Sequence, residues 1–376
     1  MPWNWQQPNW PNFVWDEAKL ARAEILFAEN AGVAIGTTQH LDDDSREMLT
    51  IEIMSGEACD TSAIEGEVLD RDSVQSSIRR HLGLKADRRA RPAEAGIAEM
   101  MVDLYRNLTS PLDHATLFGW HRMVMNGRRD LADIGCYRRH KDPMQIVSGS
   151  VHRPKIHFEA PPSERMAAEI DRFLAWFQDT MPAGPTPLPA ITRAGISHIW
   201  FESLHPFEDG NGRIGRAIVE KALAQGLSTS ALTAVAGTLL KRRKAYYQAL
   251  EAASHDLDVT DWLIWFADAV IEAQQRSLTW IRFILDKTRL LGRVQGRLNT
   301  RQEKAVLRMF EAGPEGFVGG LSAGNYMSIT GAPSATATRD LADLVKLDVL
   351  RRTGERKATR YHLVTSAPEW DRLSHD

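Results

Sequence analysis

The twelve residues at positions 205–216, HPFEDGNGRIGR, constrain the fold of this chain more than any other segment. An apolar stretch over 191–204 precedes them and has the pattern of a buried helix, and a second helical pattern follows over 213–225. The Gly-Asn-Gly between the two can adopt positive φ angles and lets a ligand approach the backbone closely. The segment therefore predicts a tight loop that presents charged side chains at the start of a helix.

The start of the second helix has the properties of an anion-binding site. Its first N–H groups and the positive end of its dipole point towards the preceding loop. Arg213 and Arg216 share one face of the first turn, where both can bind phosphate oxygens. Asp209 can hold Mg²⁺ together with phosphate oxygens, and His205 can accept a proton from a hydroxyl that attacks the bound phosphate. The residues together predict a site for a nucleoside polyphosphate.

Composition narrows the class of protein. A length of 376 residues suggests two or three domains. No apolar run approaches the roughly 20 residues that cross a bilayer, and the N-terminus lacks the basic and apolar parts of a secretion signal. Cys59 and Cys136 are the only cysteines, too few for a disulfide framework or a cysteine-only zinc site. We therefore expect a cytoplasmic protein without a membrane span.

The order of patterns predicts a mainly α-helical fold. Residues 1–15 hold four tryptophans among prolines and asparagines, and we expect them to pack as an extended arm against the first helices. Short β-prone runs flank the Ser-Gly-Ser at 148–150, which predicts a hairpin. After residue 300 the order helix, helix-turn-helix and hairpin is that of a winged helix. The expected domains are an N-terminal helical module, a catalytic core and a winged-helix-like domain, at 1–107, 108–285 and 286–376.

Charge is distributed unevenly along the chain. The net charge is −3, yet residues 287–362 contain 14 Lys and Arg against 7 Asp and Glu, so they carry +7 and the remainder carries −10. A basic C-terminal module on an acidic body indicates a nucleic-acid or acidic partner for that module. A merely solvated basic face explains the same charge, so both interpretations stay open.

The segment 205–216 resembles the motif of the Fic family, HPF-x-[D/E]-G-N-G-R-x-x-R, and matches it at every defined position. The resemblance implies a helical Fic core that transfers AMP from ATP to a Ser, Thr or Tyr hydroxyl and releases pyrophosphate. It implies that His205 is the base, that Asp209 binds Mg²⁺ and that Arg216 faces the γ-phosphate. The nucleotide-binding set that it implies within the motif is Gly210, Asn211, Gly212, Arg213, Ile214, Gly215 and Arg216.

A second resemblance lies far upstream, in the segment TSAIEG at 61–66. It fits the inhibitory pattern [S/T]-x-x-x-E-[G/N] of Fic proteins that are regulated by a helix N-terminal to the core. In that group the glutamate, here Glu65, pairs with the second motif arginine, here Arg216. A carboxylate at this place repels a γ-phosphate and removes the arginine from the substrate. The resemblance therefore implies that Glu65 inhibits the enzyme.

Weaker resemblances cover most of the rest of the chain. The hairpin at 134–162 occupies the place of the flap on which Fic proteins dock their targets by strand addition. The segment RRKAYYQAL at 242–250 is similar to the helix that lines the nucleoside pocket, which makes Tyr247 the candidate adenine contact. The Trp-rich start resembles an N-terminal module of unknown function, and the end resembles the winged-helix tail of other members.

Several alternatives remain open at the level of sequence. Some relatives move UMP or phosphocholine, use ATP as a phosphate donor or remove AMP again, so another nucleotide donor or the reverse reaction fits the same site. Self-modification is an expected side reaction, and Fic proteins often form homodimers. A different class of function is a winged-helix regulator that binds DNA, with the Fic core as a sensor.

Overall fold

The computed structural model describes residues 2–150, 153–227, 233–314, 316–317 and 319–365. Within these residues the chain forms fourteen α-helices and two small two-stranded antiparallel sheets. The helices are α1 (Glu17–Thr38), α2 (Asp43–Ile64), α3 (Arg71–His81), α4 (Pro92–Arg106), α5 (His114–Val124), α6 (Met166–Asp179), α7 (Ala190–Leu204), α8 (Asn211–Leu227), α9 (Val235–Lys241), α10 (Arg243–Ala253), α11 (Thr260–Val294), α12 (Thr300–Phe310), α13 (Ala323–Thr330) and α14 (Ser334–Lys346). The strands are β1 (Gln145–Ser150), β2 (Arg153–Glu159), β3 (Leu350–Thr353) and β4 (Arg360–Leu363). The expected mainly α-helical fold is thus confirmed, and none of the described helices is long and apolar enough to cross a membrane.

The chain divides into two compact units. The first consists of Met1–Val33 and Thr50–Ser277, and the second of Ala34–Leu49 and Leu278–Asp376. Helices α1, α2 and α11 each contribute residues to both units. The boundaries expected after residues 107 and 285 stay a prediction.

Helices α7 and α8 form the centre of the first unit. Nearly every residue of both helices is buried, which is the behaviour of helices that are covered on all sides by others. Their apolar side chains belong to one continuous core that also includes Phe173, Trp262 and Phe266. The loop between the two helices is therefore anchored at both ends by a rigid core, which suits a site whose geometry must be fixed.

Strands β1 and β2 form the predicted hairpin on the first unit. They pair antiparallel from Gln145 opposite Glu159 to Ser150 opposite Arg153, with a register shift between Ile146 and Val147. The Ser-Gly-Ser that sequence patterns place between the β-prone runs lies within β1, because the strand continues its pairing to Ser150. Residues 151–152, which join the two strands in sequence, lie outside the described residues. We call β1 and β2 together the flap.

The N-terminal arm, residues 2–16, contacts α6, α7 and the segment between α10 and α11. Its expected packing against the first helices stays a prediction. The Trp10 ring lies 6.1 Å from that of Trp200 in α7, and its Nε1 donates a hydrogen bond of 3.0 Å to Glu169 in α6. The backbone of Val14 donates to Leu257 and accepts from Val259, each over 2.9 Å. These helices offer both apolar partners and a buried acceptor for the indole N–H, which explains where the arm lies.

The second unit ends in three helices and a hairpin. Helices α12, α13 and α14 are followed by β3 and β4, and Leu321 forms an isolated antiparallel bridge with Tyr361 of β4. A buried carboxylate joins the helices, because Asp340 of α14 accepts hydrogen bonds from Tyr326 at 3.0 Å and from Arg301 at 2.9 Å. The order of elements is the one that sequence patterns predict, while its assignment as a winged helix stays a prediction.

Candidate active site

The loop between α7 and α8 is held by its own side chains. His205 ends α7 in the left-handed conformation, with φ of 46° and ψ of 58°, which a residue with a side chain adopts rarely. Asn211 is buried and binds the backbone of Phe207 twice, accepting from its N–H at 2.9 Å and donating to its carbonyl at 2.8 Å. Phe207 in turn stacks on His121 at 4.1 Å. Asn211 therefore holds the loop in shape.

Arg216 is fully engaged at the start of α8. Its Nη2 donates to Oε1 of Glu65 at 2.7 Å, and its Nε donates to the hydroxyl of Thr61 at 2.7 Å. Only 2% of its side chain is exposed. Although burial disfavours the charged form, the Glu65 carboxylate raises the pKa of Arg216 above its ordinary value. A Cβ at Gly212 would lie 2.3 Å from Oε1 of Glu65, so any larger residue here would displace this carboxylate.

Arg213 pairs with a different acid. Its Nη1 donates to Oε2 of Glu67 at 2.9 Å, and its Nη2 lies 3.7 Å from Oδ1 of Asp209. The Nε of Arg213 is buried and has no hydrogen-bond partner among the described residues, which is costly for a charged donor. Both motif arginines are thus paired with carboxylates of the segment 65–67, and Arg213 keeps one donor for a further acceptor.

Asp209 is the predicted metal ligand. Its Oδ2 accepts a hydrogen bond of 2.6 Å from Nη1 of Arg128, and its Oδ1 accepts one of 2.5 Å from the backbone of Gly210. Partial burial works in the opposite direction, but the Arg128 guanidinium lowers the pKa of this carboxyl, so it is ionised at neutral pH. In the described part of the chain no group of three or more His, Cys, Asp or Glu could hold a metal ion. One ionised carboxylate suits Mg²⁺ only where phosphate oxygens complete its ligands.

His205 is held as a neutral imidazole. Only 14% of its side chain is exposed, and burial together with the nearby Arg138 lowers the pKa of His205 to about 4. Its Nδ1 is buried, 3.9 Å from Oε2 of Glu202, and no residue in the described part of the chain forms a hydrogen bond with it. Burial raises the pKa of Glu202 to about 8, so this neighbour is protonated at neutral pH. The imidazole can therefore accept a proton at physiological pH.

A buried arginine fixes the backbone on which His205 sits. Arg138 is 1% exposed, and its Nε donates to the carbonyl of His205 at 2.8 Å. Its Nη1 donates to Ser163 at 2.8 Å, and its Nη2 to the carbonyl of Pro161 at 2.6 Å. Burial lowers the pKa of Arg138 to about 10, which still leaves it charged. This residue links the loop between α7 and α8 to the chain that follows the flap.

These groups border a cavity of about 810 Å³. The residues that line it include His205, Asp209, Gly210 and Arg216 on one side, and Ile146, Val147 and Phe158 of the flap, with Tyr246 and Tyr247 of α10. Its volume lies within the range of nucleotide-sized pockets. Tyr247 is 40% exposed, and its hydroxyl lies 3.4 Å from Oε2 of Glu65.

Two of the predicted nucleotide-binding residues face helices. Ile214 is completely buried in the hydrophobic core of the first unit. A Cβ at Gly215 would meet Oε1 of Glu202 at 2.6 Å, so Gly215 allows α8 to lie close to α7. His205, Asp209, Gly210, Asn211, Gly212, Arg216 and Tyr247 all line the cavity with Glu65. The predicted Arg213 is paired with Glu67 and is not among the lining residues.

Four residues around these groups were not assigned a role from sequence: Thr61, Glu67, Arg128 and Arg138. Thr61 is the first residue of the segment TSAIEG and Glu67 is the residue that follows it, so their position beside this motif could have marked both. Arg128 and Arg138 lie in irregular segments far from any motif. Only the fold brings them to the loop.

Comparison with known proteins places a recognised domain around this site. Residues 111–223 match the Fic/DOC family, and residues 3–84 match a domain of unknown function, DUF4172. Among solved structures, a Fic family protein from Desulfovibrio desulfuricans G20 is similar with a TM-score of 0.51 at 21% identity, covering 92% of this chain and 97% of that one. A Fic domain containing signaling protein from Bacteroides thetaiotaomicron has a TM-score of 0.49 at 15% identity, covering 67% and 97%. Residues 134–508 of Fic-1 from C. elegans have a TM-score of 0.47 at 19% identity, covering 70% and 74%.

Proposed function

We propose that this chain is an autoinhibited protein adenylyltransferase that uses Mg²⁺ and ATP to modify a Ser, Thr or Tyr hydroxyl of a protein target or of itself. The Fic/DOC domain at 111–223 supports a transferase that acts on proteins with a nucleotide substrate. The observation that carries the proposal is the pair of Arg216 and Glu65 at the start of α8, beside a neutral imidazole on the same cavity.

The nucleotide has a defined place in this proposal. Its phosphates lie against the backbone N–H groups at Gly210–Gly212, where the helix dipole favours negative charge. Arg216 and the unpaired Nε of Arg213 bind phosphate oxygens. The base extends towards Tyr246 and Tyr247, whose rings line the same cavity. Asp209 and the phosphate oxygens would hold Mg²⁺, which neutralises phosphate charge when bound.

The reaction is a displacement at the α-phosphorus. The hydroxyl oxygen of the target forms a bond to that phosphorus while the bond to the bridging oxygen of the β-phosphate breaks, and pyrophosphate leaves. The hydroxyl proton goes to His205, whose outer ring nitrogen Nε2 is the available acceptor because Nδ1 is buried. Positioning and charge neutralisation account for most of the acceleration of such transfers.

Inhibition follows from the charges that occupy the phosphate site. Oε1 of Glu65 lies 2.3 Å from the place that a Cβ of Gly212 would take, beside the loop against which the phosphates are proposed to bind. A carboxylate there repels a phosphate and withholds Arg216 from it. Glu67, two positions further along, accepts a hydrogen bond from Arg213 and so withholds that arginine from a phosphate as well. Release of residues 65–67 from the two arginines is therefore the step that activates the enzyme.

Intact-mass spectrometry tests the proposal directly. Glu65→Gly protein incubated with ATP and Mg²⁺ should gain the mass of one or more AMP groups, and the Glu65→Gly, His205→Ala double variant should gain none. Equal gain in both would remove His205 from the proposed role. Loss of AMP from already modified wild-type protein, together with retention of AMP in Glu65→Gly protein, would favour AMP removal as the physiological reaction, with Glu65 positioning the water.

The donor nucleotide is the first alternative. The arginines recognise the triphosphate, and the residues that line the base end of the cavity include the side chains of Gln248, Glu251 and Ser254, which can hydrogen-bond more than one base. Incubating Glu65→Gly protein with ATP, GTP, CTP and UTP in parallel decides the donor. Greater modification by a nucleotide other than ATP would replace AMP in the proposal.

DNA binding by the second unit is the alternative from a different class. The acids Asp340 and Asp343 on α14 disfavour DNA binding by this helix, because they would repel phosphates. Asp340, however, is buried and accepts hydrogen bonds from Tyr326 and Arg301, so it does not face a partner. The adjoining hairpin exposes the side chains of Arg351 and Arg352. The affinity for a DNA duplex should fall as the salt concentration rises. The slope of log affinity against log salt concentration should reflect the number of phosphates that the protein contacts. A mobility shift that does not change with salt, or no shift at all, rejects this function.

A further inference from the structure

Residues 3–5 of the N-terminal arm contact three residues that line the cavity, although they do not line it themselves. The ring of Trp3 lies edge-on to that of Phe158 at 5.2 Å. The buried Asn4 donates from Nδ2 to the hydroxyl of Ser203 at 2.8 Å, and from its backbone N–H to the carbonyl of Ser254 at 2.7 Å. The arm thus joins the wall of the cavity at three separate elements: β2, α7 and the end of α10.

The arm also ties the base of the flap to the end of α10. Trp5 donates from Nε1 to the carbonyl of Glu159, the last residue of β2, at 2.6 Å. Trp3 stacks on His255, just beyond α10, at 4.6 Å and 20° between ring planes. Trp3 is therefore placed between the flap and α10, with one aromatic partner on each.

The flap depends on such support for its orientation. An isolated two-stranded hairpin is marginally stable in water, so packing at its base decides where it points. The flap exposes Ile146, Val147 and Ile156, with between 42% and 51% of each exposed. Exposed apolar residues on an open strand edge suit the docking of an extended segment only if that edge is held at a fixed distance from His205.

We infer that Trp3, Asn4 and Trp5 are positioning residues that hold the flap at the working distance from the catalytic loop. This assigns a task to the start of the segment at 3–84, whose family match carries no function. The inference rests on the proposed function, because it takes the flap to be the place where the target docks. The arm acts through Phe158 and Glu159, and it does not touch the reacting atoms.

Hydrogen exchange of the flap tests the inference without any activity. In Trp3→Ala protein, peptides covering 145–159 should exchange roughly two- to tenfold faster, which is the scale of one lost aromatic contact, while peptides from α8 stay protected. Trp5→Phe keeps an aromatic side chain and removes the donor to Glu159, so it should give a smaller increase in the same peptides. Trp15→Ala is the matched control, because Trp15 is a half-buried tryptophan of the same arm that packs against the core.

A kinetic comparison separates positioning from folding. Glu65→Gly enzyme, with and without Trp3→Ala, is given His205→Ala protein as an acceptor that cannot label itself. The inference predicts a higher KM for this acceptor with kcat retained. Flap exchange that is unchanged in both Trp3→Ala and Trp5→Phe overturns the inference, as does an equal increase in Trp15→Ala. If Glu65→Gly labels nothing, the proposed function fails, and the exchange data still decide the role of the arm.

Discussion

Arg216 and Glu65 are 151 positions apart in the chain and meet at 2.7 Å, from the guanidinium Nη2 to the carboxylate Oε1. The end of α2 brings the acid to the first turns of α8, and Thr61 holds the same guanidinium from one turn earlier on α2. The arginine is almost fully buried, whereas 32% of the glutamate side chain is exposed. The acid is therefore the partner that can leave, while the arginine stays in place for a ligand.

Glu67 should contribute a second, weaker restraint. Its side chain is 39% exposed, and exposed ion pairs contribute roughly 0.2–1 kcal/mol, so Glu67→Ala should tighten nucleotide binding by no more than about fivefold. Calorimetry with ATP and Mg²⁺ on Glu65→Gly protein, with and without Glu67→Ala, measures this. Glu67→Gln keeps the size of the side chain and serves as the control for lost packing. Weaker binding in the double variant would mean that Glu67 supports the site and does not restrain it.

Arg128 should compete with Mg²⁺ for Asp209. Its Nη1 binds Oδ2 at 2.6 Å, so the cation must displace it or share the carboxylate. Arg128→Ala should therefore lower the Mg²⁺ concentration at which nucleotide binding is half-maximal. The neighbouring Arg129 is exposed, and Arg129→Ala is the control for a lost surface charge. A higher Mg²⁺ requirement in Arg128→Ala would show that this arginine assists the nucleotide.

The labelling rate should depend on pH through His205. A general base acts only when unprotonated, and the pKa of His205 is lowered to about 4 by burial and by Arg138. The rate should therefore stay nearly constant from pH 7.5 down to about 5.5 and fall only as pH approaches 4. An ordinary histidine would give a midpoint near 6.5. A pH profile of kcat/KM for Glu65→Gly protein distinguishes the two, and an acid limb centred on about 6.5 contradicts the buried, neutral imidazole.

Arg138 should be essential for the stability of the loop. Arg138→Met would leave the buried carbonyls of Pro161 and His205 without their donor, at a cost of about 3 kcal/mol or more in the free energy of unfolding. Arg129→Met is the matched control, because that side chain is exposed, and such surface substitutions change the free energy of unfolding by about 0.5 kcal/mol at most. Urea unfolding measures both, and equal losses would show that Arg138 has no special role.

Local patterns in the sequence predict the motif loop and the helices around it well. The Gly-Asn-Gly turn, the apolar helix before it and the arginines after it are encoded within about 35 consecutive residues, where side-chain period and turn chemistry act directly. The same is true of the hairpin, although the Ser-Gly-Ser at 148–150 lies within β1 and not between the strands. Pairing between strands, which sequence periodicity does not report, decides how far β1 extends.

Contacts between distant segments explain what sequence does not predict. The sequence near Arg128 and Arg138 does not mark them as neighbours of residues 205–209. They reach these residues because α5, the flap and α7 pack together in the fold. Ile214 lies inside a matching motif and nevertheless faces the core, since a helix turns its residues to different sides. The contacts of the arm with Trp200 and Glu169 on later helices likewise join segments that are far apart in sequence.

The most direct measurement is the transfer of radioactive label from ATP to Glu65→Gly protein in the presence of Mg²⁺. ATP labelled at the α-phosphorus should label the protein, ATP labelled at the γ-phosphorus should not, and wild-type protein should take up less of the α label by a factor of about 5 to 150. Label from the γ-phosphorus, or no uptake of either label after Glu65 is removed, would contradict AMP transfer at this site.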